Sequence, residues 1–342
     1  MNDQMNWKMA AEIIARAAKS WELPKSGYVK LGYACNNHCR FCTAAWKHGA
    51  GDRSTEALRQ VFDGLLQEEG VTRLDLSGGE PTLRSDLVEL VAYARANGAV
   101  QISLQTNARA LARVDWVRAL KEAGVTSCFV SIHGCDAHTH DFLTDRPGSF
   151  RQTCAGIRNL LEHGICVTTN TVVTTANAQQ LSGLVMFLAH SFSGLKHIKL
   201  SYPHLQGGAA DQLEELVVPL WKAAPLMVAA IEEGDREGLH VETEFMPACL
   251  IAPHYHRASE IDRPRYHLSD VQFTVPEIDH TSSLRPRYFL ESCGDCILRN
   301  SCCGIHPLHH ATFGDADTHF PPGRTVLAED AATCASGSKA VE

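Results

Sequence analysis

The chain has 342 residues, of which 44% are hydrophobic and 20% charged, and its formal net charge is −8. This length and composition predict a soluble globular protein that can bury a large core, in the size range of one α/β barrel with an extension. The negative charge and the lack of a Lys/Arg-rich run argue against a nucleic-acid binder. Charges throughout residues 1–21 argue against a signal peptide, and no apolar run is long enough to span a membrane. We therefore expect a cytoplasmic protein.

Strands and helices alternate from residue 27 onward, after an N-terminal helical lead at residues 1–26. The predicted strands cover residues 28–33, 73–77, 100–106, 127–133, 166–173 and 197–202. The predicted helices cover residues 54–69, 85–97, 116–123, 150–163 and 179–190, with a long helix within 212–233. Several of them stop next to a glycine, as helix C-caps do.

Six strand-then-helix units imply a parallel sheet with right-handed crossovers and helices on the outside. Six units are too few to close an eightfold barrel, so we predict an α/β fold built as a partial (β/α)6 TIM-like barrel over residues 27–238. In such barrels the chemistry gathers at the C-terminal ends of the strands. Beyond residue 238 the pattern breaks into short pieces, and residues 239–342 are predicted to form a small, irregular appended domain.

Seven of the thirteen cysteines form an early group, at residues 35–42, and a late group, at residues 293–303, whereas those at 128, 135, 154 and 166 are scattered and are interpreted as core residues. Cys35, Cys39 and Cys42 stand at C-x3-C-x2-C spacing, directly after the first predicted strand. Three thiols in one loop leave a fourth metal position open, whereas a structural zinc wants four protein ligands. A 4Fe–4S cluster on three cysteines fits this vacancy. The alternative is a zinc loop completed by a distant Cys or His.

The second predicted strand ends in Gly78-Gly79-Glu80-Pro81. Alone, this sequence is most often a turn. Here it follows the three-cysteine loop by one strand–helix unit, and the aromatic Phe41 stands directly before the last cysteine of that loop. This combination of motifs resembles the radical S-adenosylmethionine (radical SAM) superfamily over residues 27–202.

The resemblance implies both cofactors and their ligands. The three cysteines of the loop would hold a 4Fe–4S cluster whose open iron binds S-adenosylmethionine (SAM). One electron would then cleave SAM to a 5′-deoxyadenosyl radical, which abstracts a substrate hydrogen. The SAM ammonium would meet Gly78, Gly79 and Glu80, and Phe41 would lie near the adenine. Ser131 and Asn170 occupy positions that contact the SAM carboxylate or ribose in related enzymes.

Two further polar segments follow strand ends. Thr106 and Asn107 are read equally well as a capping turn or as site residues. The histidine-dense stretch 133–141 suggests a second metal, but it comes before a Pro-Gly-Ser-Phe turn. We favour the start of a helix with structural or substrate-shaping histidines.

The C-terminal cysteines resemble the SPASM/twitch extensions that hold auxiliary clusters. His306 stands where the full SPASM pattern has another cysteine, so the resemblance favours one auxiliary 4Fe–4S cluster, and a zinc knuckle is the alternative. The predicted ligands are Cys249, Cys293, Cys296 and Cys302. Cys303 and Cys334 are candidate hydrogen donors.

An auxiliary cluster favours net oxidation. The resemblance implies an enzyme that crosslinks, dehydrogenates or epimerises a peptide in natural-product maturation. The alternatives are a radical SAM dehydrogenase or epimerase of a small metabolite, and a non-catalytic iron–sulfur scaffold or sensor. Expected partners are a flavodoxin- or ferredoxin-type electron donor and, because residues 1–26 are too short for a leader-binding domain, a separate leader-binding protein. No nucleic-acid or membrane partner is expected.

Overall fold

One nine-stranded sheet organises the chain. The computed structural model describes residues 26–47, 51–262, 266–269, 274–278, 287–294, 296, 298–299 and 302–314. The predicted helical lead, except for Ser26, and Cys334 lie outside these residues. The strands are β1 (Ser26–Lys30), β2 (Arg73–Ser77), β3 (Gln101–Thr106), β4 (Ser127–Ser131), β5 (Cys166–Val172), β6 (His197–Ser201), β7 (His240–Glu244), β8 (Tyr266–Ser269) and β9 (Thr274–Ile278).

The sheet order is β7-β6-β5-β4-β3-β2-β1-β8-β9. Strands β1 to β7 pair in parallel with their neighbours in chain order, β8 adds in parallel beside β1, and β9 pairs antiparallel with β8. Because consecutive strands are parallel, their C-terminal ends meet along one edge, where the predicted site residues lie.

Helices connect successive strands. The longer ones are Thr55–Asp63, Leu87–Ala96, Val114–Ala123, Ala137–Thr144, Ser149–Glu162, Leu181–Ser191 and Leu220–Glu237, and a shorter helix at Pro307–Phe313 follows the second cysteine group. The first of these begins as predicted, because the hydroxyl of Ser54 caps it by accepting a hydrogen bond from the Ala57 N–H. It then widens into a π-helix over Gly64–Glu68.

The strands β1, β2 and β3 each have one apolar and one polar face. Leu74 and Leu76 of β2 are fully buried in the main core. The other face carries polar side chains: the Tyr28 hydroxyl contacts Ser77 and Gln105 at 2.9 and 2.8 Å, linking β1, β2 and β3. Side chains alternate between the two faces of a strand. The apolar ones therefore form the core beneath the helices, and the polar ones form a hydrogen-bonding surface inside the curve of the sheet.

The prediction of a partial α/β barrel is confirmed, and its strand count is corrected. The parallel run in chain order, β1 to β7, has seven strands rather than six, because β7 at His240–Glu244 continues the sheet beyond residue 238. Its sequence, His-Val-Glu-Thr-Glu, contains a single aliphatic residue, and so hydrophobic pattern did not reveal it. Among the described residues, no helix is long and apolar enough to cross a membrane.

Candidate functional site

The three-cysteine loop leaves β1 and lies against the helix Ala137–Thr144. The His38 and Arg40 N–H groups donate to the carbonyls of Thr144 and Leu143, each at 3.0 Å. On the other side, the Gly208 N–H donates to the Cys42 carbonyl at 3.0 Å. A Cβ on Gly208 would stand 2.2 Å from the Arg40 carbonyl oxygen, so only glycine permits this approach. The backbone of the loop is therefore held from two sides.

The Gly78-Gly79-Glu80 segment packs directly on the start of the same loop. The Gly79 N–H donates to the Gly32 carbonyl at 2.9 Å, and the Glu80 N–H donates to the Ala34 carbonyl at 2.7 Å. Gly78 has a φ of 129°, and a Cβ on Gly79 would meet the Ala34 oxygen at 2.2 Å. The local packing therefore requires glycine at both positions, in addition to the predicted role of this segment in binding the SAM ammonium.

The Glu80 carboxylate is buried, with 3% of the residue exposed, and four donors of this chain bind it. Its Oε1 accepts from the Thr82 N–H, the Thr82 hydroxyl and the Thr106 hydroxyl at 3.1, 2.5 and 2.6 Å. Its Oε2 accepts from the Asn107 N–H at 2.6 Å. Burial raises the pKa of Glu80, and these hydrogen bonds oppose the rise. Glu80 therefore ties the end of β2 to the end of β3, whatever it contributes to SAM binding.

Thr106 and Asn107 serve the turn and the site together. The turn places Ala108 at a φ of 58°, an uncommon conformation for a non-glycine residue, and the Thr106 hydroxyl accepts from the Ala108 N–H at 2.9 Å. The Asn107 side-chain amide donates to Asn36 Oδ1, inside the cysteine loop, at 2.7 Å. Both interpretations of the sequence, a capping turn and a pair of site residues, are thus compatible with the structure.

The three thiols suit a thiolate-bound cluster by their chemistry. Burial raises the pKa of all three, that of Cys35 to about 11. Cys42 and Cys35 each raise the pKa of Cys39 further, so the sulfurs lie within electrostatic reach of one another. Buried thiolates need a compensating cation, which the iron of a cluster provides. In the described part of the chain no three Cys, His, Asp or Glu side chains already form a metal-ligand group, so the fit rests on the donors and not on preformed coordination.

Ser131 and Asn170 lie beside each other, because they are register partners in β4 and β5. Sequence reasoning missed the next two members of this row. The Ser201 hydroxyl stands 2.7 Å from both Asn170 Oδ1 and Glu244 Oε2. Glu244 ends β7, and its position on the functional edge could be found only after β7 itself was recognised. A single hydroxyl proton cannot satisfy both oxygens, so Ser201 can instead accept from the Asn170 amide once that group is turned over.

Phe41 is buried in a small apolar cluster with Leu143, and its edge meets the His133 ring with centroids 4.7 Å apart. His133 and His140 have structural roles: His133 Nδ1 accepts from the Val172 N–H at 3.2 Å, and His140 Nδ1 accepts from the His133 N–H at 3.1 Å. A helix, Ala137–Thr144, begins at this segment, as we expected. The stretch thus buttresses the aromatic side chain next to the cysteine loop.

The second cysteine group also converges. Burial first, and then the charges of Cys302, Cys296 and Cys293, raise the pKa of Cys249 to about 12, so the four predicted ligands lie within electrostatic reach of one another. The pKa of Cys302 falls to about 6, first because of its interaction with the neighbouring Cys303 side chain and then because the Gly304 N–H donates a hydrogen bond to its sulfur at 3.4 Å. A thiolate at neutral pH is the form that binds metal. The Cys303 thiol itself donates to the Gly304 carbonyl at 3.4 Å.

A cavity of about 50 Å³ lies beside this group, lined among others by Tyr202, Cys303, His306 and His309. His309 is buried, and burial lowers its pKa to about 4. His309 Nε2 accepts from the Leu220 N–H at 3.1 Å, which ties the C-terminal helix to the start of the helix Leu220–Glu237. Cys303 reaches both this cavity and the thiol group.

Comparisons with known proteins agree with this geometry. An AdoMet-dependent heme synthase of Oleidesulfovibrio alaskensis is 28% identical over 296 residues, which cover 81% of this chain and 71% of that protein. The structure of Streptococcus suis SuiB bound to precursor peptide SuiA superposes with a TM-score of 0.54 at 18% identity, over 69% of this chain and 53% of SuiB. Native anSMEcpe with bound AdoMet superposes with a TM-score of 0.54 at 17% identity, over 66% of each chain.

The chain thus spans about half of SuiB and about two thirds of anSMEcpe, and both likenesses show the fold. Residues 29–188 match the family model described as the radical SAM superfamily. They contain the three-cysteine loop, the glycine-rich segment, Ser131 and Asn170. Members of this superfamily bind a 4Fe–4S cluster and SAM. Residues 29–188 of this chain are thus a radical SAM domain.

Proposed function

We propose that this radical SAM enzyme oxidises its substrate, using a second cluster on the C-terminal thiols as the electron acceptor. The observation that carries the proposal is the convergence of Cys249, Cys293, Cys296 and Cys302, separate from the loop of the first cluster. When bound, the first cluster and SAM supply a 5′-deoxyadenosyl radical. A substrate radical left by hydrogen abstraction must lose one electron to give an oxidised product, and a nearby cluster can take that electron.

The residues of this chain hold and shield the reacting groups. Cys35, Cys39 and Cys42 would bind the first cluster, and the glycine-rich segment would meet the SAM ammonium. Ser131 and Asn170, paired across β4 and β5, would bind the SAM carboxylate or ribose. Phe41, packed on His133, would cover the adenine and keep water out. A flavodoxin- or ferredoxin-type protein would deliver the electron.

Two substrate classes have support. The resemblance to SPASM proteins and the fold shared with SuiB, whose structure holds a precursor peptide, favour a peptide. The match to the heme synthase favours a heme precursor or a comparable small metabolite, because it covers 81% of this chain and so must extend beyond the barrel. We favour the small metabolite, because the match to SuiB supports the fold alone.

The experiment is anaerobic SAM cleavage. Reconstituted protein is incubated with SAM and dithionite, and 5′-deoxyadenosine is measured with and without a heme-precursor tetrapyrrole or a peptide encoded beside the gene. We expect cleavage in the wild type, none above background in Cys39→Ala, and stimulation by the true substrate class together with an oxidised product. Wild-type protein with a full cluster that does not cleave SAM would support the scaffold alternative and refute the proposal.

The second cluster needs its own test. Product formation should stop in Cys249→Ala while uncoupled SAM cleavage continues, because only the electron acceptor is lost. Zinc in place of iron at the C-terminal thiols of anaerobically purified protein would contradict this part of the proposal.

A further inference from the structure

The Arg109 side chain donates three hydrogen bonds at the cysteine loop and the helix beside it, and neither the motif nor the superfamily match assigns it a role. It follows the strained turn after β3, where its own N–H donates to Asn107 Oδ1 at 3.0 Å. Its Nη1 donates to two groups of the loop, the Asn36 carbonyl and Asn37 Oδ1, the second at 2.8 Å. Its Nε donates to Gln152 Oε1, on the helix Ser149–Glu162, at 2.7 Å.

These contacts act on the segment between the first two cysteines. Asn36 and Asn37 separate Cys35 from His38 and Cys39, so their backbone positions determine where the Cys35 and Cys39 sulfurs point. The guanidinium is planar and carries its donors in fixed directions, so one side chain holds the loop to the helix Ser149–Glu162. Lysine offers one point of attachment and cannot reproduce this fork.

The charge of Arg109 also faces the site. The guanidinium lies within electrostatic reach of the Cys35 thiol and the Glu80 carboxylate, and Asp141 approaches from the helix Ala137–Thr144. Arg146, also near, contributes a second positive charge to the same surroundings. A cluster on three thiolates is anionic and gains one negative charge on reduction. A partly buried cation beside it therefore favours the reduced state.

We propose that Arg109 is a positioning residue for the proposed 4Fe–4S cluster, which fastens the loop between Cys35 and Cys39 and places a positive charge beside the cluster. The inference rests on the cluster assigned to that loop. The side chain then has two separable roles. Its hydrogen bonds hold the loop so that the cluster is retained, and its positive charge favours the one-electron reduction that SAM cleavage requires.

The test compares Arg109→Gln and Arg109→Lys with wild type and with the control Arg113→Gln. Arg113 is exposed and its recorded hydrogen bond is to Asp115, so this control removes one arginine from the same turn region without touching the loop. Each reconstituted protein is measured for iron loss to a chelator and, by an anaerobic redox titration followed by electron paramagnetic resonance, for the midpoint potential of the first cluster. Cys293→Ala serves as background, so that the second cluster does not contribute.

We expect both Arg109 variants to lose iron at least fivefold faster than wild type. Arg109→Gln should also lower the equilibrium constant for reduction about tenfold, a shift of about 59 mV to more negative potential, while Arg109→Lys stays close to wild type because it keeps the charge. A purely structural role would not separate the two variants in potential. Should Arg109→Gln fail to fold, Gln152→Ala removes one anchor and is expected to accelerate iron loss to a smaller degree.

Wild-type iron retention and potential in both Arg109 variants would overturn the inference and leave the proposed function intact. A wild-type protein that binds no cluster at this loop would overturn both.

Discussion

The Glu80→Gln substitution tests how the carboxylate holds the site together. Glutamine keeps one oxygen, which at the Oε1 position can still accept from Thr82 and Thr106. Its amino group then faces the Asn107 N–H, which lies 2.6 Å from the present Oε2, so donor meets donor. The buried Asn107 N–H loses its acceptor, at a cost of about 1–3 kcal/mol.

The remaining bonds to this side chain also weaken, because a charged acceptor becomes neutral, by about 1 kcal/mol each. Relief from burying a charge, the cause of the raised pKa of Glu80, offsets part of this loss. We therefore expect the free energy of unfolding to fall by about 2–4 kcal/mol, the upper end of ordinary single substitutions.

The assay is urea unfolding of the metal-free protein under reducing conditions, followed by circular dichroism. Working without metal separates the structural effect from any effect on SAM. The matched control is Glu89→Gln, the same chemical change at a side chain that is 56% exposed and ion-paired with Arg59, for which we expect a loss below about 1 kcal/mol. Equal losses in the two variants would refute the argument that Glu80 ties β2 to β3.

Three further substitutions probe packing, protonation and metal content. Gly79→Ala should lower the free energy of unfolding by about 3 kcal/mol or more, because its Cβ would stand 2.2 Å from a backbone oxygen. The control Gly183→Ala lies in a helix, where its Cβ meets nothing within 4 Å, and should raise the free energy of unfolding by up to about 1 kcal/mol in the same assay. An unchanged stability in Gly79→Ala would contradict the close approach of the two backbone segments. Burial lowers the pKa of His140 to about 4, below its value in the unfolded chain, so the stability contributed by the neutral side chain is complete above about pH 6.5 and is lost as the pH falls toward 4. We expect the free energy of unfolding to fall by about 2 kcal/mol between about pH 8 and about pH 5, and by less in His140→Gln. If the free energy of unfolding of that variant depends on pH as in the wild type, His140 is not the group responsible. Cys293→Ala should lower bound iron by about four atoms per chain, with Cys166→Ala as the exposed-cysteine control, and equal iron in both would reject the auxiliary site.

The sequence was informative where chemistry is local. The spacing of Cys35, Cys39 and Cys42 and the Gly-Gly-Glu-Pro turn lie within short segments, and the alternation of apolar strands and helices repeats along the chain. These patterns predicted the fold class and the loop that carries the superfamily match. Their strength comes from residues that are close in sequence, so no tertiary information was needed to recognise them.

What only the tertiary structure decided are contacts between distant segments. The strand β7 carries too few apolar residues to be recognised by pattern, and Glu244 entered the site only because β7 pairs with β6. The bond from Arg109 to the cysteine loop joins residues 72 positions apart. Such bonds depend on which strand ends share an edge, and the parallel sheet determines that arrangement after the chain has folded.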